Sequence, residues 1–112
     1  MSFSEKRKAG EANTALLGKN SPEVMGGFAE LHKKIMGTTA ISVKEKELIA
    51  LGIAIAIRCE GCILAHVNAA KKAGVTLEEI YGVIEVAILM SGGPGTAYGG
   101  IAAAYAEEVY KE

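Results

Sequence analysis

A run of ten apolar residues, LIALGIAIAI at positions 48–57, constrains the fold more than any other stretch of this chain. A membrane-spanning helix needs about 20 such residues, so this run is expected inside a folded domain or between subunits. Its β-branched residues suit a buried strand as well as a buried helix, and periodicity alone does not separate the two. The preceding residues favour the helix, because Ser42 followed by Glu45 forms a capping box.

Helix-start and helix-stop signals recur along the rest of the sequence. Ser21 before Pro22 is typical of a helix start, and Thr76 with Glu79 forms a second capping box. Pro94 prevents continuation of the helix before it, and no segment requires a strand. The sequence therefore predicts an all-α, single-domain fold over residues 1–112, with five to six helices. Their expected ranges are 1–18 (ending at Gly18), 22–37, 43–59, 60–74, 75–93 and 95–112, the last loosened by Gly99 and Gly100.

The composition limits the classes of partner. Half of the residues are hydrophobic and the net charge is −1 with a pI of about 6.1, which argues against nucleic-acid binding. The basic run KRK at 6–8 is interpreted as a solvated terminal face. The polar N-terminus has no signal-peptide pattern, which predicts a cytoplasmic protein with no membrane partner. So apolar a composition in so short a chain predicts a homo-oligomer, in which other copies cover part of the surface.

Both cysteines and one of the two histidines lie in RCEGCILAH at 58–66. Cys59, Cys62 and His66 are spaced i, i+3 and i+7, which places them on one helix face. Two thiols at this spacing can form a small disulfide. The helix N-terminus favours a thiolate, and His66 can accept the proton of Cys62.

Glu47 is predicted to join this group. The helices before and after Cys59 have almost no loop between them, so they are expected to pack as a hairpin. Glu47 lies twelve residues before Cys59 and His66 seven residues after it. The mismatch of five residues is about 7 Å of helix rise, which a Glu side chain can cover. Glu47 would then orient His66, although a solvated first-turn glutamate is the alternative.

Two other interpretations of the thiols stay open. They can be inert buried cysteines of a non-enzymatic helical oligomer, since free Cys is often buried. They can also be zinc ligands together with His66, with His32 or Glu47 as the fourth ligand. His32 alone is expected to be a surface histidine or one satisfied within its helix.

The pattern Glu47-x11-Cys59-x-x-Cys62-x3-His66, followed by KKAGVTLEEI, resembles the AhpD-like/carboxymuconolactone decarboxylase family. The resemblance implies an all-α fold, trimers or hexamers, and a thiol-dependent peroxidase or disulfide-reductase activity without a cofactor or metal. Cys62 would meet the peroxide, Cys59 would resolve it, and His66 with Glu47 would relay protons. Gly61 departs from the mycobacterial-type enzymes, which have a second histidine there. The decarboxylases of the superfamily lack the cysteine pair.

The predicted function is therefore a thiol-dependent oxidoreductase of alkylhydroperoxidase or peroxiredoxin type. Its substrate would be a small hydroperoxide or disulfide, and its electron donor an unidentified thiol.

Overall fold

Capping signals determine where the helices of this chain begin. In the computed structural model, which describes residues 1–112, the Ser42 side chain accepts from the Glu45 N–H, and the Glu45 carboxylate accepts from the Ser42 N–H, each at 3.0 Å. Thr76 and Glu79 form the same reciprocal pair. The all-α prediction is confirmed, with six helices and no strand. The helices are α1 (Phe3–Asn20), α2 (Pro22–Met36), α3 (Val43–Ala56), α4 (Glu60–Lys72), α5 (Leu77–Ser91) and α6 (Gly93–Val109).

Helices α3–α6 form what we call the body. All 18 buried residues lie in these helices or in the turn between α4 and α5. The ten-residue apolar run falls mainly on α3, where one face is buried in the core and the other stays exposed. The largest fully buried side chains are Tyr105, Leu51, Ile55, Ile63, Ile80 and Val67.

Gly99 lets α5 and α6 approach each other closely. A Cβ at this position would lie 2.7 Å from Cγ2 of Ile84, which is closer than two carbons can pack. The expectation that Gly99 and Gly100 loosen the last helix is therefore wrong, because α6 is continuous and Gly99 is buried in its packed face. The residue is small because the neighbouring helix occupies the space.

Helices α1 and α2 form what we call the arm, and neither contains a buried residue. The N-terminal part of α1 is attached to α6, because the Glu108 carboxylate accepts from the N–H groups of Phe3 (3.0 Å) and Ser4 (3.2 Å). The predicted end of α1 at Gly18 is wrong, since the helix continues to Asn20. An interior glycine costs only about 1 kcal/mol, whereas the residue before Pro22 is forced out of helical geometry.

Helix α2 leaves its apolar side uncovered. It contacts mainly α1, and Lys46 of α3 donates to the carbonyl groups of Ile35 and Thr38 at its C-terminal end. We call its apolar side the α2 stripe; it consists of Val24 (72% exposed), Phe28 (63%), Leu31 (54%) and Ile35 (51%).

None of the six helices is both long enough and apolar enough to cross a membrane.

Candidate active site

The cysteine pair lies at the turn from α3 into α4. Arg58 reverses the chain with a positive φ of 60°, and Cys59 follows as the N-cap of α4. Cys59 and Cys62 form a disulfide, with their Cα atoms 5.2 Å apart. The Cys62 N–H donates to the Cys59 sulfur at 3.2 Å, so this sulfur occupies the place of a capping oxygen. The pair therefore lies at the positive end of a helix.

Glu47 and His66 meet across the α3–α4 hairpin. The Nδ1 atom of His66 lies 2.8 Å from Oε2 of Glu47, a direct contact with no intervening water. Glu47 is only 4% exposed, which excludes the alternative of a solvated first-turn glutamate. A buried carboxylate needs such a partner, because an unpaired charge away from water is strongly unfavourable. The predicted hairpin, with its mismatch of about 7 Å that a Glu side chain covers, agrees with this contact.

The contact determines which nitrogen of His66 is free. A proton on Nδ1 donates to the Glu47 carboxylate and leaves Nε2 as the basic nitrogen. Cys62 precedes His66 by one helical turn, so both side chains emerge on the same side of α4. No hydrogen bond joins His66 to either sulfur in the disulfide form. The arrangement provides a base beside the pair that is oriented by a carboxylate.

A cleft of about 520 Å³ opens next to the disulfide, and we call it the redox cleft. One wall is α4 and the other is α1 of the arm. Both cysteines are partly exposed and line it, which does not fit the interpretation of inert, fully buried thiols. His66 and Glu47 do not line it. The lining residues are Lys6, Arg7, Gly10, Glu11, Asn13, Thr14, Cys59, Gly61, Cys62, Leu64 and Ala65.

The sequence did not predict that α1 forms one wall of the redox cleft. The KRK run was expected to be a solvated terminal face, and this is wrong for Arg7, whose side chain is only 17% exposed. Its Nε donates to the hydroxyl of the buried Tyr105 at 2.9 Å. The available signal is the one-face spacing of Arg7, Gly10 and Thr14, but it does not say what that face contacts.

The zinc interpretation receives no geometric support. No group of three or more His, Cys, Asp or Glu side chains is arranged to hold a metal ion. Of the two proposed fourth ligands, His32 is exposed on α2 and Glu47 is paired with His66.

A second concavity, of about 560 Å³, lies between α3 and α5, and we call it the apolar groove. It begins near the ion pair of Lys44 and Glu79 (3.0 Å), which joins the first turns of the two helices. Leu48 and Ala87 line it, together with the exposed Ile53, Val86 and Met90.

Comparisons with known proteins agree with this architecture. The carboxymuconolactone decarboxylase family model matches residues 22–107, which include α2–α5 and most of α6. An uncharacterized protein of Cupriavidus necator is 34% identical over 80% of this chain and 79% of its own length. Uncharacterized protein 4 in the cox locus of Paracoccus denitrificans is 32% identical over 86% of this chain and 89% of its own.

Two solved structures are similar over nearly the whole chain. The apo crystal structure of a carboxymuconolactone decarboxylase family protein from Legionella pneumophila superposes with a TM-score of 0.89, at 36% identity and 95% coverage of both chains. A Thermotoga maritima protein superposes with a TM-score of 0.77, at 26% identity, covering 97% of this chain and 93% of its own. With this fold and a Cys59–Cys62 pair in place, the chain belongs to the carboxymuconolactone decarboxylase family.

Proposed function

We propose that this protein is a thiol-dependent oxidoreductase that reduces hydroperoxides with its cysteine pair. One observation carries the proposal: the disulfide faces an open cleft at a helix N-terminus, one turn from a histidine fixed by a buried carboxylate. A structural disulfide needs neither an open cleft nor a neighbouring base. Those features serve a pair that is oxidised and reduced repeatedly.

The reaction begins with the reduced pair. Nε2 of His66 accepts the proton of Cys62, and Glu47 stabilises the imidazolium that forms. The Cys62 thiolate attacks the terminal oxygen of the hydroperoxide, the O–O bond breaks, and the alcohol leaves after taking up a proton. The product on the protein is a sulfenic acid at Cys62.

Cys59 then resolves the sulfenic acid by forming a disulfide with Cys62, three residues away. The Cys59 thiolate attacks the sulfenic sulfur, and the hydroxide leaves as water after protonation. One hydroperoxide and two thiols thus give one alcohol, one water and the Cys59–Cys62 disulfide. Cys59 is suited to this role, because its sulfur accepts the Cys62 N–H and a negative charge is favoured at a helix N-terminus.

The test is to mix fully reduced protein with one equivalent of cumene hydroperoxide and count the remaining free thiols over time. We expect wild type to lose both thiols. The Cys59→Ser variant should stop at a sulfenic acid that dimedone captures. Cys62→Ser is the matched variant, with one thiol left in the same turn. If wild type loses thiols no faster than Cys62→Ser does, the peroxidase proposal is wrong.

We also propose that copies of this chain assemble, as a trimer or hexamer, through apolar surfaces that one copy leaves uncovered. The α2 stripe and the apolar groove are both exposed, and contiguous exposed apolar surfaces commonly mark protein–protein contacts. Other copies supply a partner for both surfaces, because the stripe of one copy can enter the groove of the next. The stripe from Val24 to Ile35 is about 17 Å long and suits a groove between helices of 14 and 15 residues.

A further inference from the structure

The redox cleft contains a cation that is fixed in place. Nε of Arg7 donates to the hydroxyl of Tyr105, and Nη1 pairs with Glu11. Tyr105 is completely buried, so the end of the guanidinium that it holds cannot swing freely. Nη2 has no protein partner, and since no buried polar atom of the molecule lacks one, Nη2 is accessible to solvent.

The wall that carries Arg7 is itself anchored. Glu108 accepts from the first N–H groups of α1, and the ring of Phe3 lies 6.2 Å from the ring of Tyr105. The first turn of α1, which directly precedes Arg7, is therefore held against α6 by two contacts. Arg7 and the two cysteines line the same cleft from facing walls.

Arg7 and the adjacent Lys6 each already pair with a glutamate, but these glutamates compete only weakly with a bound anion. Glu11 is 62% exposed, and the Lys6–Glu60 pair is 3.8 Å apart with both side chains about half exposed. The Arg7–Glu11 pair joins positions i and i+4 of one helix, and the Lys6–Glu60 pair is exposed. Pairs of these two kinds contribute at most about 1 kcal/mol, so a ligand carboxylate can replace them. Arginine also presents two parallel N–H groups to a carboxylate, which lysine cannot do.

We propose that the redox cleft binds the electron donor, a small thiol that carries a carboxylate, and that Arg7 receives this carboxylate. The inference rests on the proposed redox function and names the class of its second substrate. The cleft flanks the disulfide, which is the form of the protein that a donor meets. Its volume of about 520 Å³ is in the range of small-molecule sites.

The transfer proceeds by two thiol–disulfide exchanges. The donor thiolate attacks the sulfur of Cys62, the S–S bond breaks, and the electron pair leaves on the sulfur of Cys59 at the α4 N-terminus. A second donor thiolate attacks the donor sulfur of the mixed disulfide and releases Cys62. Two donor thiols become one donor disulfide, and the protein gains two electrons and, from solvent, the protons its thiolates take up.

The test compares two simple thiols. The oxidised protein is mixed with 3-mercaptopropionate, which carries a carboxylate, or with the neutral 2-mercaptoethanol. The second-order rate constant of disulfide opening is followed by alkylation and mass spectrometry. The ratio of the two rate constants, compared between variants, removes the difference in intrinsic reactivity of the thiols. We expect Arg7→Gln to lower this ratio about 5- to 10-fold, because only 3-mercaptopropionate has the carboxylate that Arg7 receives.

Lys8→Gln is the matched control, since Lys8 carries the same charge on the same helix but is exposed and does not line the cleft. It should leave the ratio unchanged. Arg7→Lys keeps the charge without the two parallel N–H groups and should give an intermediate ratio, which also provides a second variant should Arg7→Gln fold poorly.

One result overturns the inference while the redox pair stands: a ratio that Arg7→Gln does not change. If both rate constants fall equally, Arg7 has a merely structural role. A wild-type disulfide that neither thiol opens overturns the redox proposal as well.

Discussion

The arm and the body of this molecule differ in what their side chains contact. The body, α3–α6, contains every buried residue, whereas the arm, α1 and α2, contains none. The arm nevertheless supplies one wall of the redox cleft and the whole α2 stripe. The chemistry that we propose is performed by residues of the body. The arm presents surfaces: α1 to a ligand beside the disulfide, and α2 to a second copy.

The two concavities also differ in which region of the molecule lines them. The redox cleft and the apolar groove have similar volumes, about 520 and 560 Å³. The cleft has charged residues of the arm on one wall, while the groove lies within the body and is almost entirely apolar. Similar volumes with different lining side chains indicate different occupants.

The largest expected effect tests whether the chemistry belongs to the body. Glu47→Gln removes the charge that orients His66 and stabilises its imidazolium, so peroxide-driven thiol loss should slow by about 10²-fold. Stopped-flow measurement with cumene hydroperoxide gives the rate. The arm variant Arg7→Gln is the comparison, and it should change this peroxide step by less than about 3-fold. Equal losses in the two variants would break the division between the regions.

The second-largest expected effect is on the oligomeric state of the protein. Leu31→Glu places a charge in the α2 stripe, and Val86→Glu places one in the apolar groove. Either change should reduce the mass in solution several-fold, toward the 11.6 kDa of one chain. Light scattering after gel filtration measures this.

Lys33→Glu, on the opposite face of α2, should leave the mass unchanged. A wild-type protein that is already monomeric at micromolar concentration would contradict the assembly proposal.

A third prediction compares a glycine-to-alanine substitution in the body with the same substitution in the arm. Gly99→Ala puts a methyl group into Ile84 and should lower the free energy of unfolding by about 1–3 kcal/mol. Gly26→Ala, on α2, meets nothing within 4 Å and should be neutral or stabilising by up to about 1 kcal/mol. Urea denaturation measures both.

Ile84→Leu removes the Cγ2 methyl group, so it should restore part of the loss in the double variant. A Gly99→Ala protein as stable as wild type would show that α5 and α6 are not tightly packed.

The smallest expected effect is on how the free energy of unfolding changes with pH, through the glutamates of the capping boxes. Hydrogen bonds from the backbone and side chains of Ser42 and Thr76 help lower the pKa of Glu45 and Glu79 below the usual 4.5, as Ser2 does for Glu5 of the arm. A lowered folded-state pKa adds stability above about pH 4.5 that is lost as the pH falls through the folded-state value.

The difference in unfolding free energy between wild type and Glu79→Gln should therefore shrink as the pH falls from 7 to 3. Glu5→Gln, in the arm, should have less effect on global unfolding, because α1 buries no residue and can fray separately. Urea titrations at several pH values measure this. Equal effects of the two variants would indicate that α1 unfolds together with the body.

Local signals predicted much of the fold. The capping boxes at Ser42 and Thr76 fix two helix starts, because their hydrogen bonds join residues only three positions apart. The Glu47–His66 contact is likewise accessible from helix rise, since a short hairpin leaves few alternatives. The catalytic roles of these residues remain predictions.

What the sequence did not reveal depends on contacts between distant positions. Arg7 and Tyr105 are 98 positions apart, and nothing near Arg7 indicates a buried hydroxyl as its partner. The tight contact of Gly99 with Ile84 is equally a property of two packed helices, and from sequence the glycine resembles a weak point. Periodicity predicts that a helix has a face, but not what covers that face.

The cap that Cys59 provides has a consequence for the reduction potential of the pair. The sulfur that accepts the Cys62 N–H is, in our proposal, the one that carries the charge when the disulfide opens. A helix N-terminus stabilises that charge, and therefore the reduced form relative to the oxidised form. Stabilising the reduced form makes a disulfide a stronger oxidant. We therefore expect this pair to accept electrons from common thiols readily, unlike the resistant disulfides that hold secreted proteins together.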